Sequence, residues 1–474
     1  MIAATAVVGV ASAQYSGAKP VPAEYKKGWD TFSEGSAHSL LAQLAGPEFY
    51  GRGTGQKGYM RAAQFVADQL KSYGVKGGMP DGGYFNFVPF TQWASHPASK
   101  ATDPTGAVLR PGADFDGAGL TSDVQAEGKV VFFSGSAAEL KPTEENCGGK
   151  IVFVDSSDFS RRNAGQFNQA KALAVIQVLD QADNDPVVSY GHNAETRARG
   201  GSRFHISREK YKGIAAACGV PASAAEGYAS DRTMKIDWKI EKRNVGVPNV
   251  VGKIEGSDPV LKDQYVGLGS HLDHLGRTDG VVYPGADDDG SGTTALLLVA
   301  KAMMENPLKP KRSIYFMAFC GEEMGLLGSR YITDNPPFNP DKMTCELQMD
   351  MVGRNEEQQG ETAAENVQTI HLVGSKRISS ELHELTLKAN EHIGFTFEYD
   401  EEDVYTRSDH AMFARKGIPI TFLFSGFHPD YHRPTDTIEK INFAKIVSAA
   451  RLNYLVAGWA ANRPEMLKRD NPGS

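Results

Sequence analysis

Apolar residues recur at helical spacing near the start of the chain and predict two helices. The first covers Ser36 to Leu44. The second covers Gly58 to Tyr73, where apolar side chains recur on one helical face and Gly74 supplies a stop. We expect both to be ordinary packing helices.

The pattern changes after residue 94. Short β-like runs such as Lys129–Phe133 and Lys150–Val154 alternate with Gly, Ser, Asp and Asn, and one apolar helix-like stretch, Gln169–Val178, interrupts them. This part of the sequence has no cluster of metal-ligand residue types. We therefore predict that residues 95–238 form an inserted, mainly β domain, called the insert below.

From Asn249 onward, strand and helix patterns alternate, which is typical of an α/β sheet with helices on its faces. The predicted fold class is therefore a three-layer α/β/α domain with a mixed, mostly parallel sheet. We expect its two parts, residues 24–94 and 239–465, to flank the insert.

Composition and charge exclude several classes of function. The 474 residues are 41% hydrophobic and 23% charged, which is ordinary for a globular protein of more than one domain. The net charge of -8 is spread without long runs of one sign, so no basic surface for nucleic acid or an anionic membrane is predicted. No later stretch approaches the roughly 18 apolar residues of a membrane span. A small or peptide substrate is favoured.

Residues 1–13 predict a signal peptide, although the basic start of such segments is missing. Their apolar run ends in Ala11-Ser12-Ala13, the small-x-small form of a cleavage site. We therefore expect an exported chain, periplasmic or secreted. Disulfide pairing and buried free thiols both remain open for the four cysteines, Cys147, Cys218, Cys320 and Cys345.

Five polar segments accompany the predicted strands of the α/β part. Because ligands bind beyond the carboxyl ends of such strands, we expect the segments to meet in one crevice. Each has a plainer interpretation, such as a strand-end histidine or a helix N-cap in the aspartate run. Together they offer the histidine and carboxylate ligands that a pair of zinc ions takes. The segments are His271-Leu-Asp-His274, Asp287–Asp289, Glu322-Glu323, Asp350 and His432.

These segments resemble the zinc-dependent aminopeptidase family that includes the bacterial secreted leucyl aminopeptidases and aminopeptidase Y, with a protease-associated domain inserted in the peptidase. The family pattern is His-x-Asp, Gly-Ala-x-Asp-x-x-x-Gly, Glu-Glu-x-Gly, an Asp after a strand, and a His before a short Asp-Thr segment. The sequence contains every part. The insert resembles the protease-associated domain only in pattern and position.

The resemblance implies two Zn²⁺ ions, in a site that would also accept Co²⁺ or Mn²⁺. Asp273 would hold the imidazole of His271 in the required tautomer. Glu322 would act as general base and then as general acid. The implied ligands are Asp288 shared by both ions, His271 and Asp350 at one ion, and Glu323 and His432 at the other.

Weaker expectations concern substrate contacts. The resemblance places Tyr405, Arg407, Asp409 and His410 near the substrate pocket. Arg354 is expected either to contact a substrate carboxylate or to pair with the glutamates at 356 and 357. His274 and His428 lie near ligands in the sequence, but the motif assigns neither to a metal.

The implied function is hydrolysis of the N-terminal peptide bond of peptides with a free N-terminus. A carboxypeptidase is one alternative, since Arg354 and Arg407 offer positive charge for a C-terminal carboxylate. A glutaminyl cyclase-like enzyme would hold a single zinc, which the full ligand set argues against. A non-catalytic receptor-like ectodomain would have lost ligands or the base, and none is missing.

Overall fold

The structure is a computed structural model that describes residues 19–181, 185–190, 202–358, 360–399 and 404–471. The predicted signal peptide, residues 1–13, lies outside these ranges, so export stays a prediction. In the described ranges, no helix combines the length and apolar character needed to cross a membrane.

Helices and strands alternate along most of the chain. The helices are α1 (Lys26–Trp29), α2 (Glu34–Leu44), α3 (Lys57–Ser72), α4 (Glu144–Cys147), α5 (Arg161–Gln169), α6 (Arg208–Cys218), α7 (Gly290–Glu305), α8 (Leu327–Asp334), α9 (Ser380–Asn390), α10 (His410–Ala414) and α11 (Phe443–Asn462). The strands are β1 (Lys76–Gly77), β2 (Phe85–Ser95), β3 (Lys100–Thr102), β4 (Val108–Leu109), β5 (Phe115–Gly117), β6 (Val124–Ser134), β7 (Ile151–Asp155), β8 (Ala174–Leu179), β9 (Val187–Tyr190), β10 (Arg203–Ser207), β11 (Tyr228–Trp238), β12 (Ile240–Ile254), β13 (Tyr265–His271), β14 (Arg277–Thr278), β15 (Val281–Val282), β16 (Ser313–Phe319), β17 (Met343–Met349), β18 (Thr369–Val373), β19 (Thr396–Glu398) and β20 (Ile420–Phe424).

The larger sheet has the strand order β19-β18-β20-β17-β13-β16-β12-β2-β9, with β1 paired to β12. Strands β20, β17, β13 and β16 are parallel at its centre. The sheet is mixed, as predicted, but the expectation that it is mostly parallel was wrong, because β12, β2 and β9 add antiparallel pairs. The chain enters the insert from β2 and leaves it into β12. These two strands lie side by side and run in opposite directions.

Helices cover both faces of this sheet. The side chains of β16 are buried along its whole length and alternate between two apolar clusters, as strand geometry requires. Ile314 and Phe316 belong to the cluster that contains residues of α3, α7 and α11. Tyr315 and Met317 belong to the cluster that contains residues of α8 and α10. The result is the predicted α/β/α layering.

The insert forms a second sheet with the strand order β4-β3-β11-β6-β7-β8-β10-β5. The helix predicted over Gln169–Val178 was wrong, because α5 ends at Gln169 and the apolar run that follows is the parallel strand β8. A strand buried on both faces loses the alternation that separates strands from helices. The insert also contributes β9 to the edge of the larger sheet.

All four cysteines are buried free thiols, so the disulfide alternative is not realised. The Cys320 thiol lies 3.5 Å from the carbonyl oxygen of Val247. Burial raises the pKa of this thiol well above its usual value. Cys320 is therefore a packed side chain at the end of β16 and is not suited to act as a nucleophile.

Candidate metal centre

Three of the predicted segments meet at one edge of the larger sheet. His271 is the last residue of β13, and the parallel register places it beside Phe319, the last residue of β16. Glu322 and Glu323 follow β16 closely, and Asp350 follows the last residue of β17. Parallel strands end at the same edge, so these side chains come together although they are far apart in sequence.

Two loops complete the cluster around the carboxylate of Asp288. On one side, His271 Nε2 lies 3.2 Å from Asp288 Oδ1 and 3.4 Å from Asp350 Oδ1. On the other side, His432 Nε2 lies 3.1 Å from Asp288 Oδ2 and 3.1 Å from Glu323 Oε2. The two oxygens of Asp288 therefore face two different groups of side chains.

The spacing within each group fits a zinc ion. Two donors bound to one tetrahedral Zn²⁺ at about 2.0–2.2 Å lie roughly 3.3–3.6 Å from each other. The distances of His271 to Asp288 and Asp350 are 3.2 and 3.4 Å, and those of His432 to Asp288 and Glu323 are both 3.1 Å, all within about 0.2 Å of this range. Imidazole nitrogens and carboxylate oxygens are also the donor types that zinc prefers. The residues present fit the metal that the sequence predicts.

The electrostatics of the cluster favour added positive charge. Burial raises the pKa of Glu322 well above its usual value, although His271 opposes the shift. Burial alone would lower the pKa of His432, but the carboxylates of Asp288 and Glu323 outweigh it and raise this pKa to about 10. Both shifts mean that the cluster attracts protons, and a metal cation satisfies the same demand.

The carboxylates of Asp287 and Asp289, on either side of Asp288 in the sequence, accept hydrogen bonds from backbone N–H groups. Asp287 Oδ1 accepts a hydrogen bond of 2.7 Å from the backbone N–H of Gly353. Asp289 is the N-cap of α7 and accepts hydrogen bonds from the backbone N–H groups of Gly292 at 2.8 Å and Met351 at 3.2 Å. The N-cap interpretation thus holds for Asp289, while Asp288 faces the cluster.

His274 contacts the cluster, which the sequence motif did not indicate. Its Nδ1 lies 2.7 Å from Glu323 Oε1 and 3.6 Å from Asp288 Oδ2. The imidazole is buried and orients Glu323. His428 lies apart, with Nε2 3.2 Å from Asp287 Oδ2. In the sequence, the one sign that His274 would reach the cluster is its position three residues after His271, the last residue of β13.

Asp273 uses different atoms from those expected. His271 Nδ1 lies 2.9 Å from the main-chain carbonyl oxygen of Asp273 but 3.8 Å from its carboxylate. The carboxylate instead accepts hydrogen bonds from the Thr54 hydroxyl at 2.6 Å and from the backbone N–H of Glu322 at 3.1 Å. Asp273 therefore holds both His271 and Glu322 in place.

Arg52 holds the loops that carry His271 and Asp288, a role that the sequence did not predict. Its guanidinium is fully buried and donates hydrogen bonds to the carbonyl oxygens of Leu272 at 2.9 Å, Pro284 at 2.8 Å and Gly285 at 2.8 Å. These acceptors belong to the loops that carry His271 and Asp288. The available indication was a lone arginine within the glycine-rich run of residues 51–55.

A small pocket adjoins the cluster, whose residues His271, Asp288, Glu322, Asp350 and His432 form part of its lining. Arg407 is the one predicted substrate contact among its described lining residues, and its guanidinium lies 4.8 Å from the centre of the Phe427 ring. Away from the cluster, the described lining of the pocket is apolar except for Arg407. Its apolar walls come from Met351, Val404, Phe422, Phe424, Phe427 and Tyr431.

The other predicted substrate contacts lie away from this pocket. The His410 ring is fully buried behind the wall and stacks on Phe422 at 4.6 Å. Burial lowers the pKa of His410 to about 3. Asp409 is also fully buried, and burial raises its pKa to about 8. The Tyr405 ring contacts the guanidinium of Arg377 at 3.9 Å.

Arg354 forms ion pairs with Asp430 and Glu357. Its guanidinium lies 3.1 Å from Asp430 and 3.4 Å from Glu357, and the side chain is 8% exposed. Of the two expectations for Arg354, the structure supports pairing, with Asp430 in place of the glutamate at 356. Because Asp430 lies two residues before His432, the pair braces the loop that carries this histidine.

The chain resembles known proteins over the region that carries the cluster. Residues 249–457 match the model for "Peptidase family M28". A probable leucine aminopeptidase of Trichophyton verrucosum is 27% identical over 47% of this chain and 64% of its own length. Leucine aminopeptidase 2 of Arthroderma otae is 27% identical over 69% of this chain and 66% of its own length. The chain thus spans slightly less than two thirds of each relative.

A solved structure shares the fold. The zinc aminopeptidase BSAP from Bacillus subtilis aligns with a TM-score of 0.52 at 20% sequence identity. The alignment covers 93% of this chain and 98% of that chain. The likeness therefore extends over both sheets.

Replacing Asp273 with Asn should weaken zinc binding. The amide keeps only one acceptor oxygen, so it can no longer accept the hydrogen bonds of Thr54 and of the Glu322 backbone on separate oxygens, and Glu322 is held less firmly. We expect a loss of about 10–100-fold in zinc affinity and of about 1–3 kcal/mol in unfolding free energy. Competition with a chromogenic chelator and urea unfolding would measure these losses.

Thr54→Val is the matched control for Asp273→Asn, since it removes only the hydroxyl contact. It should lower stability with a smaller change in zinc affinity. Zinc affinity unchanged by Asp273→Asn would contradict the supporting contact described above.

Proposed function

We propose that this protein is a metal-dependent aminopeptidase, because residues 249–457 match the model for peptidase family M28 and include most of the residues of the cluster. It hydrolyses the N-terminal peptide bond of peptides that have a free N-terminus. Its peptidase domain comprises residues 24–94 and 239–465, and the insert is a protease-associated-like domain. The leucine aminopeptidase relatives support this assignment.

The position of the Asp288 carboxylate carries the proposal. Its Oδ1 faces His271 at 3.2 Å and its Oδ2 faces His432 at 3.1 Å, so one carboxylate serves two ligand groups. Such an arrangement suits two ions that share a bridging ligand. We propose that His271 and Asp350 hold one zinc ion and that Glu323 and His432 hold the other.

The two ions, when bound, supply positive charge that polarises the scissile carbonyl and lowers the pKa of the attacking water. His274 orients Glu323 through the 2.7 Å contact between their side chains. The main-chain carbonyl of Asp273 fixes the ring of His271 so that Nε2 faces the cluster. These contacts keep the ligands in place before a substrate arrives.

Glu322 acts as the general base. Its carboxylate accepts a proton from the attacking water, whose oxygen forms a bond to the scissile carbonyl carbon. The same carboxyl then gives the proton to the amine nitrogen as the peptide C–N bond breaks. The hydrogen bond from the Glu322 backbone N–H to Asp273 holds this residue at the edge of the cluster.

The small pocket receives the side chain of the N-terminal residue. Its walls of Phe422, Phe424 and Phe427 favour an apolar side chain over a charged one. The carboxylates of Glu322 and Glu323 favour the positive α-amino group of the substrate. Together these features support cleavage after an apolar N-terminal residue.

Digestion of one peptide in three forms tests the proposal. The unmodified peptide, its N-acetylated copy and its C-terminally amidated copy are incubated with the zinc-loaded protein, with and without a chelator, and products are identified by mass. We expect residues to be lost from the N-terminus, with cleavage blocked by acetylation and by the chelator. Loss from the C-terminus, blocked by amidation, would favour the carboxypeptidase alternative with Arg407 at its pocket.

The adjacent glutamates should fail in different ways when each is changed to Gln. Glu322→Gln removes the base and should lower kcat by about 100-fold or more while both ions stay bound. Glu323→Gln removes a ligand and should lower metal content as well as activity. Metal analysis of the dialysed variants together with kcat measures this difference. Equal metal content in two inactive variants would contradict the assigned roles.

A further inference from the structure

A cavity of about 740 Å³ lies between the insert and the rest of the chain. Its volume is in the range of sites that bind small molecules. At one end it is lined by His274 and Glu323, which contact Asp288 and His432 in the cluster. The small pocket is lined by the other side chains of the cluster, His271, Asp288, Asp350 and His432. The two spaces therefore adjoin the same cluster at different residues.

Two ion pairs fix the wall of this cavity. Arg203 of the insert pairs with Asp279, which lies in the hairpin formed by β14 and β15. Arg277 of the same hairpin lies 3.1 Å from Asp185 of the insert. All four side chains are at most 12% exposed. Separating such buried pairs is costly, so the wall is a fixed part of the fold.

The cavity is also lined by Arg161, whose guanidinium takes no part in these ion pairs. Among the described lining residues, Arg161 is the arginine that has no hydrogen-bond or ion-pair partner. It is the first residue of α5 and is exposed. Ala164, Gly165 and Asn168 of the same helix also line the cavity, so one face of α5 forms its wall.

We propose that this cavity binds the part of the substrate that follows the scissile bond, and that Arg161 binds the C-terminal carboxylate of short peptides. The inference rests on the proposed function. When the first side chain occupies the small pocket, the chain after the scissile bond needs a separate space beside the cluster, and the cavity adjoins the cluster at Glu323. A guanidinium without a partner suits a carboxylate, which it can bind through two N–H groups.

The test compares Arg161→Ala with Arg162→Ala. Arg162 is the next residue on α5, is also exposed and does not line the cavity, so its substitution removes the same charge from the same helix. Substrates are leucyl peptides from dipeptide to hexapeptide, each as the free acid and as the C-terminal amide. Leucyl anilide, which has no C-terminal carboxylate, serves as the reference substrate.

For free-acid peptides long enough to reach Arg161, we expect Arg161→Ala to raise KM by about threefold to tenfold with kcat unchanged, as expected for one charge-assisted contact at a partly exposed site. The amides and leucyl anilide should show no change, and Arg162→Ala should match the unaltered protein. Arg161→Glu should make the amides the better substrates.

An acid-to-amide ratio of KM that is equal in the unaltered protein and in Arg161→Ala at every length would overturn the inference. In that case, continued cleavage of leucyl anilide would leave the proposed function intact. Absence of cleavage of every substrate by the zinc-loaded, unaltered protein would overturn both.

Discussion

Negative charge is concentrated at one edge of the larger sheet, where the carboxylates of Asp288, Glu323 and Asp350 lie largely out of water. Removing a carboxylate from water costs free energy unless positive charge or hydrogen-bond donors replace the solvent. In the described part of the chain, the ion-pair partners of these carboxylates are histidines. A bound cation completes this balance, and the proposed chemistry needs the same cation.

The surrounding loops are held mainly through the backbone, which leaves selected side chains facing the crevice. Three consecutive aspartates show this. Asp287 and Asp289 accept hydrogen bonds from backbone N–H groups, and Asp288 between them faces the histidines. Asp436 accepts hydrogen bonds from the backbone N–H groups of Asp287 and Asp288, and Arg52 donates to carbonyls of both ligand loops. The three aspartates thus have different roles because the fixed backbone points each carboxylate in a different direction.

The sequence allowed the ligand segments and the layered fold to be predicted, because strand ends and ligand types can be recognised locally. Arg52 could not be assigned, since its partners are main-chain carbonyls, some of them more than 200 positions away. The contacts of the Asp273 carboxylate with Thr54 and with the Glu322 backbone depend equally on distant packing. Strand β8 was taken for a helix because an apolar run buried on both faces has no period of two.

In the proposed site, Asp288 would be shared by two ions, the small pocket would receive the first side chain, and the larger cavity beside the insert would receive the rest of the peptide. Anomalous diffraction at the zinc absorption edge, from crystals of the zinc-loaded protein, would show directly whether two ions flank Asp288. We expect two peaks, one beside Asp288 Oδ1 near His271 and one beside Asp288 Oδ2 near His432. A single peak, or peaks that do not flank Asp288, would contradict the proposed site.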